Sequence, residues 1–415
     1  VQFIGVTHSI VGATALAIRT PDATIIHSGD FKVDPLPDDN YPFQSDVFAA
    51  LGKEGVDLLI MDSTNATRTG FCPSDYEIQD TLEDLIATAK GRVFLTTFSS
   101  HMPRIRKLIE IAATQRRKIA FVGRSFRKHY AACLDTAYLG TNNVVIDEDS
   151  AALLPPNQVI YVVAGSQAEA RSALASIAAD GFRNLKFVAE DRVIFSSRSI
   201  PGNERQVMLF ISELERRGIE VFSGHSANVH TSGHGYRDDI AYLLNLVKPR
   251  FVAPIHGEFH HLLAHHTWLR QIITDDQEVV FLEDGDIVTL TDGQLVNQGK
   301  IQTSMIPVDG NQNRPISSKV LKERRDLMYS GLVLINANTT SEGHQFQVHT
   351  NGMCEDQEGQ SAESLLAELN KLHLPPDGNP HMMGEQILRC VRNMMRRLSN
   401  GKPLIKLVIN GRIVH

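Results

Sequence analysis

Between residues 57 and 258 the chain alternates short apolar, β-branched runs with longer stretches whose apolar residues recur every three to four positions. Six runs read as strands: V-D-L-L-I-M-D-S-T, R-V-F-L-T-T-F, K-I-A-F-V-G, Q-V-I-Y-V-V-A-G-S, D-R-V-I-F-S-S and F-V-A-P-I-H-G-E. They are apolar almost throughout, the pattern of strands covered by helices on both faces, and each ends in a polar or glycine-containing turn. Helices are predicted over 74–90, 104–114, 169–179, 203–217 and 236–247, and Ser74 with Glu77 forms an S-x-x-E capping box at the first of them. Strand-helix alternation of this kind predicts α/β layers whose strand-end turns face one cleft. The opening run V-Q-F-I-G-V reads as a strand with no initiator methionine or turn before it, so a truncated product is expected. After Gly299 the character changes: 336–361 is polar and is read as a loop or edge region within a separate C-terminal module, followed by helices over 361–372 and 384–398 and a last strand in K-P-L-I-K-L-V-I-N-G.

Composition narrows the reading. With 415 residues, 42% of them apolar, two or three domains with substantial cores are expected. A net charge of −7 gives no general affinity for nucleic acid, so a polyanion must meet a local basic surface. The candidates are Arg116, Arg117, Lys118, Arg124, Arg127 and Lys128, with Arg192, Arg198 and Arg205 further on. Cys72, Cys133, Cys354 and Cys390 form no C-x-x-C pair, which suits a reducing compartment, the cytoplasm by default. No apolar run reaches membrane-spanning length.

The candidate chemistry lies in two sets. His8 and Asp30 stand 22 residues apart in T-H-S-I and H-S-G-D-F-K, and His234 and His256 repeat that interval in H-T-S-G-H-G and P-I-H-G-E. Imidazole and carboxylate are the donors that suit zinc or manganese, ions that activate water at neutral pH, so the residues point to a metal-dependent hydrolase. Each residue has a plainer reading: a lone strand-end histidine is usually structural, and Asp30 after Gly29 fits an Asx turn. His27 is read as a packing or supporting group. His230, Ser232, Gly233 and His234 precede a helix near Tyr236, where free amides favour a phosphate, or form a glycine turn capped by serine. His260, His261, His265 and His266 are read as a solvated helix face.

Seven motifs occur in the order and at the separations of one family: T-H-S, H-S-G-D-F-K, D-S-T-N-A, G-S-Q-A-E, S-S-R-S-I-P-G-N-E, H-T-S-G-H-G and P-I-H-G-E. Together they resemble ribonuclease J, of the β-CASP branch of the metallo-β-lactamase superfamily, as far as Asp309 and more weakly beyond. The resemblance implies an α/β fold: a metallo-β-lactamase αββα sandwich, incomplete at its N-terminus, with an inserted β-CASP α/β domain and a small α+β C-terminal domain. The boundaries are 1–73 and 221–312 for the two parts of the hydrolase domain, 74–220 for β-CASP, and 313–415 for linker and C-terminal domain. It implies two divalent metal ions, zinc with manganese as the alternative, His8 holding one, His256 the other and Asp30 bridging both. His234 would contact the scissile phosphate and protonate the leaving oxygen, with His230, Thr231, Ser232 and Gly233 cradling the adjacent phosphate. Asp62 would support the metal side of the cleft, Ser166 and Gln167 the RNA backbone, and Asp309 a structural calcium.

The activity so implied is 5′ to 3′ exonuclease, with endonuclease as a second mode, on single-stranded RNA in mRNA decay and rRNA maturation, by a homodimer or homotetramer without membrane attachment. The family's H-x-H-x-D-H run is absent from the 17 histidines, so this fragment is expected to be inactive or nearly so. Val11 and Gly12 replace the usual Pro-Asp after T-H-S-I, Ala168 replaces a glycine, and S-S-H-M-P-R replaces an asparagine-containing run. These departures motivate the alternative of a non-catalytic RNA-binding or assembly subunit pairing with an active paralogue. A small-molecule lactonase is a weaker third reading.

Overall fold

The computed structural model describes every residue except 38–40, 141–142, 183–184, 201, 310–313, 341–342, 354, 375–378, 399–401 and 415. The chain divides into two compact units, Val1–Gln302 and Thr303–His415.

The first unit opens with β1 (Gln2–Gly5), β2 (Thr14–Arg19), β3 (Thr24–His27), α1 (Ser45–Glu54) and β4 (Leu58–Asp62). The chain continues through α2 (Gln79–Ala87), β5 (Val93–Thr96), α3 (Met102–Thr114), β6 (Lys118–Val122), α4 (Arg124–Asp135), β7 (Val145–Ile146), α5 (Glu148–Ala152) and β8 (Val159–Val163). Next come α6 (Ala173–Ala178), β9 (Arg192–Phe195), α7 (Glu204–Arg216), β10 (Glu220–Phe222), α8 (Arg237–Val247), β11 (Phe251–Ile255), α9 (Phe259–Ile272) and β12 (Glu278–Val279). The hairpin β13 (Asp286–Thr291) and β14 (Gln294–Lys300) ends the unit.

Two six-stranded sheets result. One has the order β1-β2-β3-β4-β11-β12, antiparallel across its first three strands and parallel from β3 onward. The other, β10-β9-β5-β8-β6-β7, is parallel throughout. Strand β11 pairs directly with β4, Ile255 opposite Asp62, so the entire second sheet is an insertion between two neighbours of the first. Separate apolar clusters cover the two faces of the inserted sheet, one around Leu95, Ile160 and Val162 and the other around Phe94, Tyr161 and Val163. This double cover is why its strands read as unbroken apolar runs. Helices α1 and α8 pack on the first sheet through Phe48, Leu51, Ile240 and Leu243. The Ser74 box forms as expected, but it caps a 3-10 turn, Asp75–Ile78, that leads into α2. Helix α6 is shorter than the 169–179 stretch, because Ser172 caps it by accepting from the Ala175 amide.

The second unit comprises β15 (Val308–Asp309), β16 (Arg314–Pro315), α10 (Ser318–Ser330), β17 (Leu332–Thr340), β18 (Gly343–Asn351), α11 (Glu355–Leu369), α12 (Pro380–Leu398), β19 (Leu404–Ile409) and β20 (Arg412–Ile413). Its sheet runs β18-β17-β19-β20. The polar segment 336–361, expected as loop, is instead the end of β17, the hairpin strand β18 and the first turns of α11. Val333, Ile335, Ala337 and Phe346 alternate into the core, and the polar residues take the other face. Cys72, Cys133 and Cys390 are free thiols, and Cys354 lies outside the described residues.

Candidate functional site

The parallel arrangement brings the carboxyl ends of β3, β4 and β11 to one edge of the first sheet, the position where open α/β sheets bind ligands. Asp30 follows β3, Asp62 ends β4, and His256 follows β11 directly. His8 reaches the same edge beyond β1, where Thr7 bridges to Lys32, and His234 comes from the loop entering α8. Residues spread over most of the first unit thus meet. Asp30 lies between two imidazoles, 3.9 Å from His8 Nε2 and 3.4 Å from His256 Nε2. The His234 ring is 4.9 Å from that of His8 and 5.6 Å from that of His256, centre to centre. His256 holds φ at 55°, a left-handed conformation that costs a non-glycine residue about 1–2 kcal/mol, and its carbonyl accepts from Thr64 Oγ1 at 3.2 Å.

Hydrogen bonds fix the state of each ring. His8 Nδ1 is 2.7 Å from the Gly233 carbonyl, which can only accept, so Nδ1 carries the hydrogen and Nε2 presents its lone pair to the cleft. Burial, the strongest influence on His8, holds it below its usual range despite that bond and keeps it neutral. A Cβ at Gly233 would lie 2.6 Å from His8 Nδ1, so only glycine permits this approach. Gly29, at φ 62°, makes the left-handed turn that carries the chain from β3 to Asp30. Asp62 accepts from His234 Nδ1 at 2.6 Å and from the Thr64 amide and hydroxyl at 2.9 and 2.7 Å. Burial opposes charge on both partners, but their mutual bond wins: His234 is raised above its ordinary value and Asp62 lowered below its own. One side of the His234 ring is thereby committed to the carboxylate and the other is left to the cleft.

Two overlapping groups bring their donor atoms within 4.8 Å of one another: His8, Asp30 and His234, and Asp62, His234 and His256. Imidazole and carboxylate converging at this spacing, with His8 neutral and oriented by a carbonyl behind it, fit a divalent cation.

The remaining predicted residues divide. Ser232 and Gly233 line a cavity of about 470 Å³ next to His234, together with Asn65, Arg68 and Arg198. Asn65 Nδ2 donates to Ser232 Oγ and to the His234 carbonyl, fixing this loop. Thr231 is buried with its hydroxyl donating to the Pro73 carbonyl, so its side chain faces away from any phosphate. His230 borders the cavity, but its Nδ1 accepts from Arg104 at 3.0 Å, and burial beside that guanidinium lowers it to about 2. Ser166 and Gln167 are buried, and Gln167 spends both amide atoms on the Arg198 carbonyl and the Ile200 amide. It shapes the loop carrying Arg198 and does not itself reach the cleft. Asp309 pairs with Arg324 at 3.1 Å and stands outside both ligand groups found among the described residues. Of the basic candidates, Arg117 is buried on the carbonyls of Ala89 and Gly91, Arg192 pairs with Glu220, and Arg198 alone of the nine lines the cavity.

Sequence reasoning missed three features. His265 is fully buried on Ser63 Oγ at 2.9 Å, not part of a solvated face, and burial lowers it to about 3. Arg68 joins Arg198 at the cavity, held by Tyr236 Oη at 2.7 Å. Arg104, 1% exposed, bonds Asp75, the Ser196 carbonyl and His230, and Lys32 pairs with Asp34 and Asp75 beside it. The spacing of Lys32 from Asp30 in H-S-G-D-F-K was the available signal for this network.

Residues 90–214 match the family described as "Ribonuclease J, beta-CASP domain", and residues 225–280 match "Zn-dependent metallo-hydrolase RNA specificity domain". The chain is 36% identical over 414 residues to a ribonuclease J of Thermus thermophilus, covering 98% of this chain and 71% of that protein. It is 33% identical over 419 residues to one of Sinorhizobium meliloti, covering 99% and 74%. With a ribonuclease J of Helicobacter pylori it shares 34% over 353 residues, 83% of this chain, and it spans only 51% of that relative's length.

Proposed function

The chain belongs to the ribonuclease J family, and from that premise we propose that it carries part of a divalent-metal-dependent hydrolase of single-stranded RNA. Its fold is the metallo-β-lactamase/β-CASP fold. The observation that carries the reading is the meeting of His8, Asp30, Asp62, His234 and His256 at the carboxyl edge of one sheet. We read 1–73 and 221–312 as the hydrolase domain, 74–220 as β-CASP and 313–415 as linker and C-terminal domain.

His8, Asp30 and His256 would hold the cations, which when bound supply Lewis-acid polarisation of water and of the scissile phosphate. The residues do the rest. Asp62 fixes His234 with Nε2 toward the cleft and favours its charged form, so Nε2–H donates to the phosphate and passes its proton to the leaving oxygen as water attacks phosphorus. Arg68 and Arg198 give the adjacent cavity its positive charge, and a single strand is the form whose backbone follows such a groove. The 5′ to 3′ exonuclease mode, endonuclease action, a role in mRNA decay and rRNA maturation, a homodimeric or homotetrameric state and a cytoplasmic location belong to the same proposal.

By themselves the 415 residues give each cation two protein donors besides Asp62 and His234, fewer than the three a catalytic zinc takes, so slow turnover is expected. Calorimetric titration with Zn²⁺ and Mn²⁺, followed by an assay on 5′-monophosphorylated RNA, tests this. Binding that Asp30→Asn weakens by an order of magnitude or more supports the site. Two tightly held ions with rapid cleavage would overturn the expected slowness, and cation binding indifferent to Asp30→Asn would overturn the site. RNA binding without cleavage at saturating metal, together with capture of an active relative, would favour the assembly-subunit alternative.

A further inference from the structure

Helix α12 buries Met383, Ile387, Leu388, Val391 and Met395 in the core of the second unit. That commits one face to the sheet and turns Arg389, Arg392 and Arg396 outward, three and four residues apart and therefore in one row. They line an open groove of about 530 Å³ together with Asn393, His381 and Glu385. We propose that this arginine row is a second RNA-binding site, contacting backbone phosphates of a single strand independently of the cleft in the first unit.

Three observations on this unit carry it. Within this unit Arg324 of α10 is engaged by Asp309. Among the described residues neither Arg389 nor Arg396 has an ion-pair partner. The charge balance is also local. Residues 303–415 contain thirteen Lys and Arg against eleven Asp and Glu, a net of +2, in a chain whose total is −7. Finally, the row is composed of guanidiniums, whose planar forks match phosphate oxygens two at a time, with an amide donor at Asn393. Among the described residues the apolar lining is limited to Gly384, buried Leu388 and half-buried Val414, with no aromatic anchor of the kind a peptide interface uses, which favours a nucleic-acid strand over an acidic polypeptide.

The choice of RNA rests on the hydrolase reading, so the test separates the two. The full chain and its R389A/R392A/R396A variant are titrated, with EDTA present, against a long single-stranded oligouridylate and one of a few nucleotides, over a range of salt. The arginines are exposed, and matching thermal melts confirm an intact fold. The variant is expected to bind the long strand roughly ten-fold more weakly and to lose about 2 from the log–log salt slope, at about 0.7 per phosphate contact. Short-strand binding should not change. Unaltered long-strand affinity overturns the proposal, as does equal loss for both lengths, which would place the effect in the cleft. Capture of polyglutamate by wild type with RNA affinity unmoved in the variant overturns it in favour of a protein partner. If the short strand fails to bind at all, the hydrolase reading fails instead, and the arginine row stands or falls on the long strand alone.

Discussion

Single residues in this protein are tuned mainly by what is buried beside them. His101 and His265 are buried and His230 half-buried, and desolvation, joined at His101 and His230 by the charge of Arg104, lowers His101, His230 and His265 to about 4, 2 and 3. Each is neutral when folded and protonates near its ordinary value when unfolded, so the unfolded chain binds more protons as pH falls. Stability is therefore fully present above about pH 6.5 and should decline below it by about 1.4 kcal/mol per pH unit for each histidine. Denaturant melts between pH 7 and 4.5 check the slope, and His265→Gln should make it shallower. Asp75 has the opposite logic: burial opposes its charge, but Arg104 and Lys32 hold it well below the usual carboxylate range. Its contribution is present above the unfolded carboxylate value and is lost only as pH falls through the lower folded one. Asp75→Asn leaves the buried Arg104 without its carboxylate and Lys32 with Asp34 alone, and should cost about 3–5 kcal/mol at neutral pH, read from chemical denaturation. These burial effects could not be read along the chain, because nothing in A-H-H-T-W-L marks His265 as the inward one. The metal-type residues were legible because their motifs sit at strand ends. Ala168, in place of a family glycine, keeps φ at 54°, so the G-S-Q-A-E loop retains its left-handed turn at a backbone cost.

At the scale of elements, buried strands were the most legible feature, since β5, β6, β8 and β9 are apolar at nearly every position. The hairpin of β17 and β18 was missed because L-V-L-I-N-A-N-T-T alternates and its outward residues are polar, so composition outweighed period. Ile335 is fully buried in that alternation, and Ile335→Ala should cost about 2–5 kcal/mol and expose β17 amides in hydrogen exchange, leaving β4 and β11 protected. The H-T-S-G-H turn was legible as a site but not in its division of labour. Thr231 faces inward to Pro73, His230 borders the cavity with its Nδ1 spent on Arg104, and the last three residues face the cleft. Gly233→Ala should push on both His8 and the Ser9 backbone, weakening cation binding and lowering the melting temperature.

For the whole molecule, pattern alone predicted α/β layers and a separate C-terminal module, while the pairing of β4 with β11 across nearly two hundred intervening residues required three dimensions. A cation bound only by the folded site raises stability by mass action, so Zn²⁺ or Mn²⁺ should raise the melting temperature of the wild-type chain. The same addition should leave Asp30→Asn unmoved; an equal rise in both would place the ion elsewhere. Asp30, Asp62 and His256 stand at or just past the ends of strands β3, β4 and β11, and His8 and His234 reach them from loops. A lineage can thus erode the chemistry one tip at a time without the fold registering the loss, so foldedness and competence are inherited separately, and descendants that keep the shape while abandoning the reaction arise at little selective expense.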